Sequence, residues 1–285
     1  MEKQGPHPNP LPGGEGARTM RREGQAMRPR FQFTIRQMMI GVACIAIVFA
    51  GLAWFARALR EASRVAATQS RCTGNLKWVG LALHNYHSAW GCLPPAITCD
   101  ANGKPMHSWR TLILPYISSP YHVDLYNQYN FSEPWNGPNN SKLLGQMTDQ
   151  YSCPTHPQYT GGLPGHVFAN FVALVGPDTA FPGTKCVKFS DVRDGTANTI
   201  MLVEVASSDI NWMEPRDLDV GTMSFQINEF SPRSISSYDP YSPNFLFADG
   251  MCRRLKPSTS PQTLKALMTI NGGESIDIEK ECGPP

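Results

Sequence analysis

Hydrophobic positions come first as one long run and then as a stripe. Between Arg36 and Arg57 no charged side chain occurs, and Met38 to Ala56 is dominated by Met, Ile, Val, Ala, Phe, Leu and Trp. At about 1.5 Å per helical residue this run spans roughly 28 Å, close to the roughly 30 Å of bilayer hydrocarbon. It predicts a membrane-crossing helix, with residues 31–56 as the anchor. After Ala56 the pattern turns amphipathic without a break, and no proline interrupts it before Pro94. Leu59, Ala62, Ala66, Gln69, Cys72, Leu76, Val79, Leu83, Tyr86 and Trp90 recur at steps of three and four, which marks one face of a helix. Arg60, Glu61, Arg64, Lys77 and Asn85 fall elsewhere. Gly91 followed by Pro94-Pro95 ends it. The expectation is a single helix from about Thr34 to Trp90, half in lipid and half pressed against a folded head, with residues 57–93 as its stem. Gly74 and Gly80 each weaken such a helix by about 1 kcal/mol relative to Ala, so tertiary packing must hold it.

Residues 94–285 read as the head. A short helix is predicted from about Trp109 to Tyr116 with Ser108 as its N-cap. Ser118 to Asn140, rich in Tyr, Asn and Pro, reads as a surface loop. Candidate strands are His166 to Val175, Val187 to Phe189, Thr199 to Ala206, Met223 to Ile227, Asn244 to Phe247 and Met251 to Leu255. A last helix from Pro261 to about Thr269 carries Ser260 at its N-cap, Pro261 at its first position and Gly272-Gly273 past its end. Short strands, few helices and many turn residues predict an α+β fold, an antiparallel sheet with long loops. The Asp249-Gly250 pair between two of these strands reads first as a hairpin turn.

Composition adds limits. Residues 1–30 hold Gly, Pro, Arg and Glu with almost nothing to bury, and read as a disordered tail or a start codon placed too early. Over 285 residues the chain carries 25 Lys+Arg and 23 Asp+Glu, a formal net charge of +2, too weak a field to hold a polyanion, so no nucleic acid is expected as partner. Arg28, Arg30 and Arg36 precede the apolar run, while Arg57, Arg60 and Arg64 follow it with Glu61. That slight basic excess places the N-terminus in the cytoplasm and the head outside. A cleaved secretory signal is the competing reading, since Ala50-Gly51-Leu52-Ala53 offers small residues, but the run exceeds the usual seven to fifteen residues of a signal core.

Eight cysteines occur, with Cys44 in the apolar run. An exported head would place the other seven in an oxidising compartment. Seven is odd, so at least one thiol stays free or pairs between chains. Cys92 and Cys99 form the most local candidate disulfide. No Cys-x2-Cys spacing is present, so no metal site is assigned. His84 and His87 share a helix face that a metal could use, although orienting the stem is the plainer role. Glu204, ending an apolar strand, is a candidate buried acid. Trp135, Trp212, Tyr238 and Tyr241 lie in polar loops and suit a recognition surface. No nucleophile elbow, phosphate loop, His-Glu-x-x-His or dinucleotide fingerprint appears, and no catalytic residue or cofactor is assigned.

Several stretches carry a resemblance: Phe33-Thr34-Ile35 before the apolar run; Arg71 to His87 with Leu93-Pro94-Pro95-Ala96; Tyr151-Ser152-Cys153-Pro154; Asp191 to Glu204; and Asn244 to Gly250. In order and spacing they resemble a large bacterial family of unknown function whose members carry a type IV prepilin-like N-terminus. The resemblance covers about Phe33 to Glu274. It implies a pseudopilin-like protein, a long N-terminal helix laid on an antiparallel sheet, exported and held in the inner membrane, with no established activity.

Two departures stand out. A prepilin processing site has Gly before the Phe and Glu five residues into the mature chain, whereas here Gln32 precedes Phe33 and Gln37 takes the Glu place. A neutral Gln37 cannot form the ion pair with a neighbouring N-terminal amine that this family likeness implies for the Glu, so a permanent single-pass anchor is favoured over a filament subunit. The family's His-x9-Asp-Gly motif keeps Asp249-Gly250, but Asp239 stands at the His position. Asp239 and Asp249 as oxygen ligands of a hard cation are the sharper alternative to a plain turn.

The leading expectation is a structural or interaction protein, with the lipid bilayer and proteins of a secretion or envelope assembly as partners. A ligand- or glycan-binding module is the second reading and would need an aromatic cleft beneath Ser118 to Asn140. A membrane-tethered hydrolase is the third; it would need Glu204 near Asp239 or Asp249 within about 10 Å around a cavity.

Overall fold

A helix, α1, spans Ile35–Trp90. The computed structural model describes residues 34–155, 167–239 and 242–283; Gln32, Phe33, Tyr241 and the 1–30 tail lie outside them. The chain divides into two compact units, Met1–Arg57 and Ala58–Pro285, and α1 contributes to both.

In the first unit the helix opens on a reciprocal cap. The Thr34 amide donates to Gln37 Oε1 at 3.0 Å, and the Gln37 amide donates back to Thr34 Oγ1 at 3.3 Å. This is a capping box, which satisfies two of the donors a helix start leaves open. Gln37 therefore has a local task that needs no charge. Large apolar side chains follow on every face and all are exposed, among them Ile35 at 79%, Phe49 at 66% and Trp54 at 71%. The segment is long and apolar enough to span a membrane.

The second unit is built on the rest of α1. Cys72, Leu76, Val79, Gly80, Ala82 and Leu83 are buried against the sheet. The predicted apolar stripe is thus covered only in its middle, because Leu59 and Trp90 at its two ends stay exposed. At Gly80 the helix comes so close to Leu246 that a Cβ would lie 2.9 Å from Leu246 Cδ1. The glycine that weakens the helix in isolation is what lets it seat. Gly91, at φ +76°, ends the helix in the left-handed conformation glycine adopts freely.

A hairpin follows, β1 (Ile97–Cys99) and β2 (Pro105–Ser108). Next comes α2 (Trp109–Leu112), capped by Ser108, whose side chain accepts from the Arg110 amide. A 3-10 turn at Leu114–Tyr116 completes the predicted short helix. Within the stretch expected to be loop lies α3 (Pro120–Gln128). The main sheet comprises β3 (Phe171–Val175), β4 (Ile200–Glu204), β5 (Leu218–Asp219), β6 (Phe245–Phe247) and β7 (Cys252–Arg253), in the order β5-β3-β4-β6-β7. All its pairings are antiparallel except β3 with β5, so the sheet is mixed rather than purely antiparallel. Val187 to Phe189 and Met223 to Ile227 are not strands: Phe189 begins a 3-10 turn, and Met223 to Ile227 contributes only the isolated bridge Ser224–Ser234. Two helices close the chain, α4 (Pro261–Ala266), with the predicted Ser260 cap, and α5 (Ile278–Glu281).

Both sheet faces are covered. Phe171, Ala173, Leu202 and Leu246 join the α1 residues in one core. Val172, Leu174, Phe245 and Phe247 point the other way and pack with Leu255, Leu264 and Leu267 from the C-terminal segment. That double cover explains why β3 and β4 read as continuous apolar runs rather than alternating ones. The unit is α+β, with the stem half of α1 on one side of the sheet and α4 on the other. An ion pair sits inside it: Arg110 bonds Asp217, both side chains fully buried. Asp217 also accepts from Trp109 Nε1 and the Ala173 amide.

Candidate functional site

Chemistry-bearing side chains gather where α1 meets the sheet. Cys72, on the buried face of α1, is disulfide-bonded to Cys153, with their Cα atoms 4.7 Å apart. Asn244, the residue immediately before β6, reaches the same place. Its Nδ2 donates to Glu204 Oε2 at 2.7 Å and to Cys72 Sγ at 3.4 Å, while its Oδ1 accepts from Thr73 Oγ1 at 3.0 Å. Glu204, at the end of β4, also accepts from the Asn244 amide at 3.0 Å and from Ser237 Oγ at 2.6 Å. On the far side of the bridge, Asn170 Oδ1 accepts from the Cys153 amide at 3.1 Å. The result is a closed network tying stem, disulfide and sheet together.

Burial is the dominant electrostatic fact here. It pushes the Glu204 carboxyl up to about 6; the hydrogen bonds from Ser237 and Asn244 pull the other way, and nearby Asp239 adds to the rise. The two cysteine sulfurs and a Glu204 oxygen lie within 4.8 Å of one another. Sulfurs joined in a disulfide carry no thiolate to ligate a metal, so in this form the trio is a structural node.

The Asp249-Gly250 turn is placed as the hairpin reading has it. Asp249 Oδ1 accepts from the Met251 amide at 2.9 Å, Arg253 grips the carboxylate through both terminal nitrogens, and Gly250 sits at φ +81°. Asp239 instead faces Arg254, at 3.4 Å. The two aspartates are thus held by different arginines, Asp249 by Arg253 and Asp239 by Arg254. Asp239 does join Glu204, since its amide donates to Ser237 Oγ at 3.0 Å, but both carboxyl groups are buried and Glu204 opens into none of the described cavities.

His84 and His87 hold Phe189 between them, with ring centroids 4.5 and 4.3 Å away. His87 Nε2 accepts from the Phe189 amide at 3.2 Å, and burial pushes the His84 imidazole below its ordinary range. The pair orients the stem. Gly250 packs beside His84, which brings two separate sequence motifs into one place.

The candidate disulfide Cys92–Cys99 does not form; both thiols are free. Leu93 and Ile97 each bond a companion segment, through Val187 and Gly183. The chain between them is therefore drawn out at roughly 3.3 Å per residue, which separates Cys92 from Cys99.

Some of the loop aromatics are taken up by packing, whereas Tyr121, Phe230 and Tyr238 stay exposed. His107, Tyr129 and Phe131 pack ring against ring at 4.8 to 5.5 Å, and Trp212 is buried with its Nε1 donating to Leu144 O. Tyr238 lies against Phe230. Beneath Ser118 to Asn140 there is a cavity of about 360 Å³ in which Tyr121 is the aromatic lining residue. A larger groove of about 690 Å³ runs beside the stem, where Lys77, Arg253 and Arg254 line it with Cys252 and Cys282. Burial pushes the Cys252 thiol up to about 12, so it stays protonated. Sequence reading missed Asn244 and the Cys72–Cys153 pairing; a cysteine on the buried helix face was the available signal for the latter.

A long apolar helix whose amphipathic continuation is fastened to a mixed sheet defines an α+β protein with a candidate membrane helix. Residues 57–224, more than half of the chain, match the bacterial family described as "Protein of unknown function (DUF1559)", and the chain belongs to that family. No curated protein and no solved structure matches it.

Proposed function

We propose that this chain is a single-pass, pseudopilin-like structural or interaction protein of the inner membrane, its head outside the cytoplasm, serving a secretion or envelope assembly without catalysis of its own. The observation that carries the reading is the exposure of the apolar segment beginning at Ile35, in which no part of the membrane-length window is buried. Leaving that many large hydrophobic side chains in water is unfavourable by roughly 1.5–3 kcal/mol each, and a bilayer is the solvent that removes the cost. A disulfide in the head suits an oxidising compartment. Gln37, neutral and engaged in the helix cap, suits a permanent anchor better than a filament subunit. The absence of catalysis is supported by Glu204, which is buried in a hydrogen-bonded network and lines none of the described cavities, so that Asp239, which lines one of about 250 Å³, does not share it with Glu204.

Protease added to intact spheroplasts tests this. Digestion of the head, leaving a membrane-held fragment, is the expected result; full protection until lysis, or recovery of the intact chain in the soluble fraction, overturns it. N-terminal sequencing of membrane-extracted protein complements the test. An end at Phe33 would restore the pilin pathway, and an end after Ala53 would replace the anchor with secretion.

A further inference from the structure

Beyond the bridge at Cys72, a second pair of cysteines lies at the other end of the buried stem. Cys92 follows the Gly91 helix end, and Cys186 precedes the turn that carries Phe189. Their two segments run antiparallel: the Leu93 amide donates to Val187 O at 2.8 Å and the Ile97 amide to Gly183 O at 3.3 Å. Leu93 and Val187 are buried against the core. Side chains alternate along extended chain, so Cys92 and Cys186, each one residue away, turn to the outer side together as diagonal neighbours across the pair. Cys186 is exposed and Cys92 partly so, and Cys186 is near enough to Cys92 to help raise its thiol's pKa.

We infer that Cys92 and Cys186 are an oxidation site, closing to a second disulfide when the head meets a protein or small-molecule disulfide oxidant. The exposed Cys186 attacks as thiolate on one sulfur of the oxidant, forming a mixed disulfide and releasing one thiol. Cys92 then gives its proton to water and attacks Cys186 Sγ, forming the Cys92–Cys186 bond and releasing the second thiol. Two protein thiols lose two protons and two electrons, and the oxidant's disulfide is reduced to two thiols. Burial and the neighbouring Cys186 push the Cys92 thiol up to about 11, which suits the second, slower role. The new bond would hold the end of α1 to the segment bearing Phe189, which His84 and His87 already grip. Together with Cys72–Cys153 it would fasten the buried part of the stem at both ends.

This inference rests on the head lying outside the cytoplasm, and the Cys72–Cys153 bond separates the two ideas. The full chain is extracted from membranes in detergent with immediate alkylation and digested without reduction, and a second portion is first treated with oxidised glutathione. A Cys92–Cys186 peptide, two hydrogens lighter than its separate halves, is expected in both portions and should persist in Cys99→Ser. If Cys72–Cys153 is linked while Cys92 and Cys186 are alkylated in both portions, the second bridge is refuted and the exported head stands. If all four are alkylated on extraction, the exported head fails; the glutathione-treated portion then decides the pair, the linked peptide upholding it and alkylation overturning it. Linkage of either residue to Cys99, Cys252 or Cys282 instead also overturns it.

Discussion

Glu204 makes the clearest claim that a single residue can test. In the folded protein it keeps its proton up to about pH 6, against an ordinary value of 4.5, so between those limits the folded state binds more protons than the unfolded one. The stabilisation is complete below about pH 4.5 and is lost as pH rises through about 6. Glu204→Gln fixes the neutral form, with the amide oxygen accepting from Asn244 and the amide nitrogen donating to Ser237. The variant should match the parent near pH 4 and exceed it by on the order of 2 kcal/mol above pH 6. Urea midpoints of both proteins across this range check it, and His84, His107 and His122, all shifted down by burial, cancel in the difference. A gap that does not widen with pH would show that the carboxylate is not held against its charge. The Arg110–Asp217 pair is a second residue-scale case. Arg110→Met strands a buried carboxylate and should cost about 3–5 kcal/mol, whereas Arg216→Met, which breaks ion pairs at 44% side-chain exposure, should cost no more than about 1 kcal/mol. Similar losses for both would remove the distinction.

Two glycines of α1 should respond in opposite directions. Gly74 has open space where a Cβ would stand, whereas Gly80 would meet Leu246. Gly74→Ala should raise stability by up to about 1 kcal/mol through helix propensity. Gly80→Ala has the same gain offset by about 1–3 kcal/mol of overpacking, so its midpoint in thermal or urea unfolding should fall. Equal rises would mean that the helix seats loosely. The same contrast shows what was legible beforehand. Periodicity found α1, its end at Gly91 and the Ser108 and Ser260 caps, because those signals are local. It could not place Gly80, whose role exists only once Leu246 lies across from it. β3, β4 and β6 were readable as apolar runs because both faces of the sheet are covered. Val187 to Phe189 and Met223 to Ile227 alternate apolar and polar as half-buried strands do, yet their partners are single backbone bonds rather than strands. α3 was hidden by its Tyr- and Asn-rich composition and is placed by tertiary packing of Leu125 and His122. In the candidate site, Glu204 and the Asp249 turn were found as residues, but Asn244 joins them only through space, and cysteine pairing depends on topology rather than on nearness in sequence.

At the scale of the molecule, the stem half of α1 is part of the head's interior. Leu76, Val79 and Leu83 are fully buried in the core they share with Phe171, Leu202 and Leu246. Burying three such side chains contributes roughly 4.5–9 kcal/mol, which is comparable to the whole net stability of a typical domain, about 5–15 kcal/mol. The Cys72–Cys153 bond closes a separation of 81 residues, for which chain entropy gives on the order of 4–5 kcal/mol more. A head produced from residue 94 onward would lose both contributions and leave one face of its sheet bare. A head produced from residue 58, the start of the second compact unit, keeps both. Made in an oxidising compartment, the longer fragment should be soluble without detergent, unfold cooperatively and yield the linked Cys72–Cys153 peptide; the shorter one should aggregate or show no cooperative transition. A well-folded fragment from residue 94 would show that the sheet's face can be closed without α1, and the stem would then be a spacer rather than part of the core.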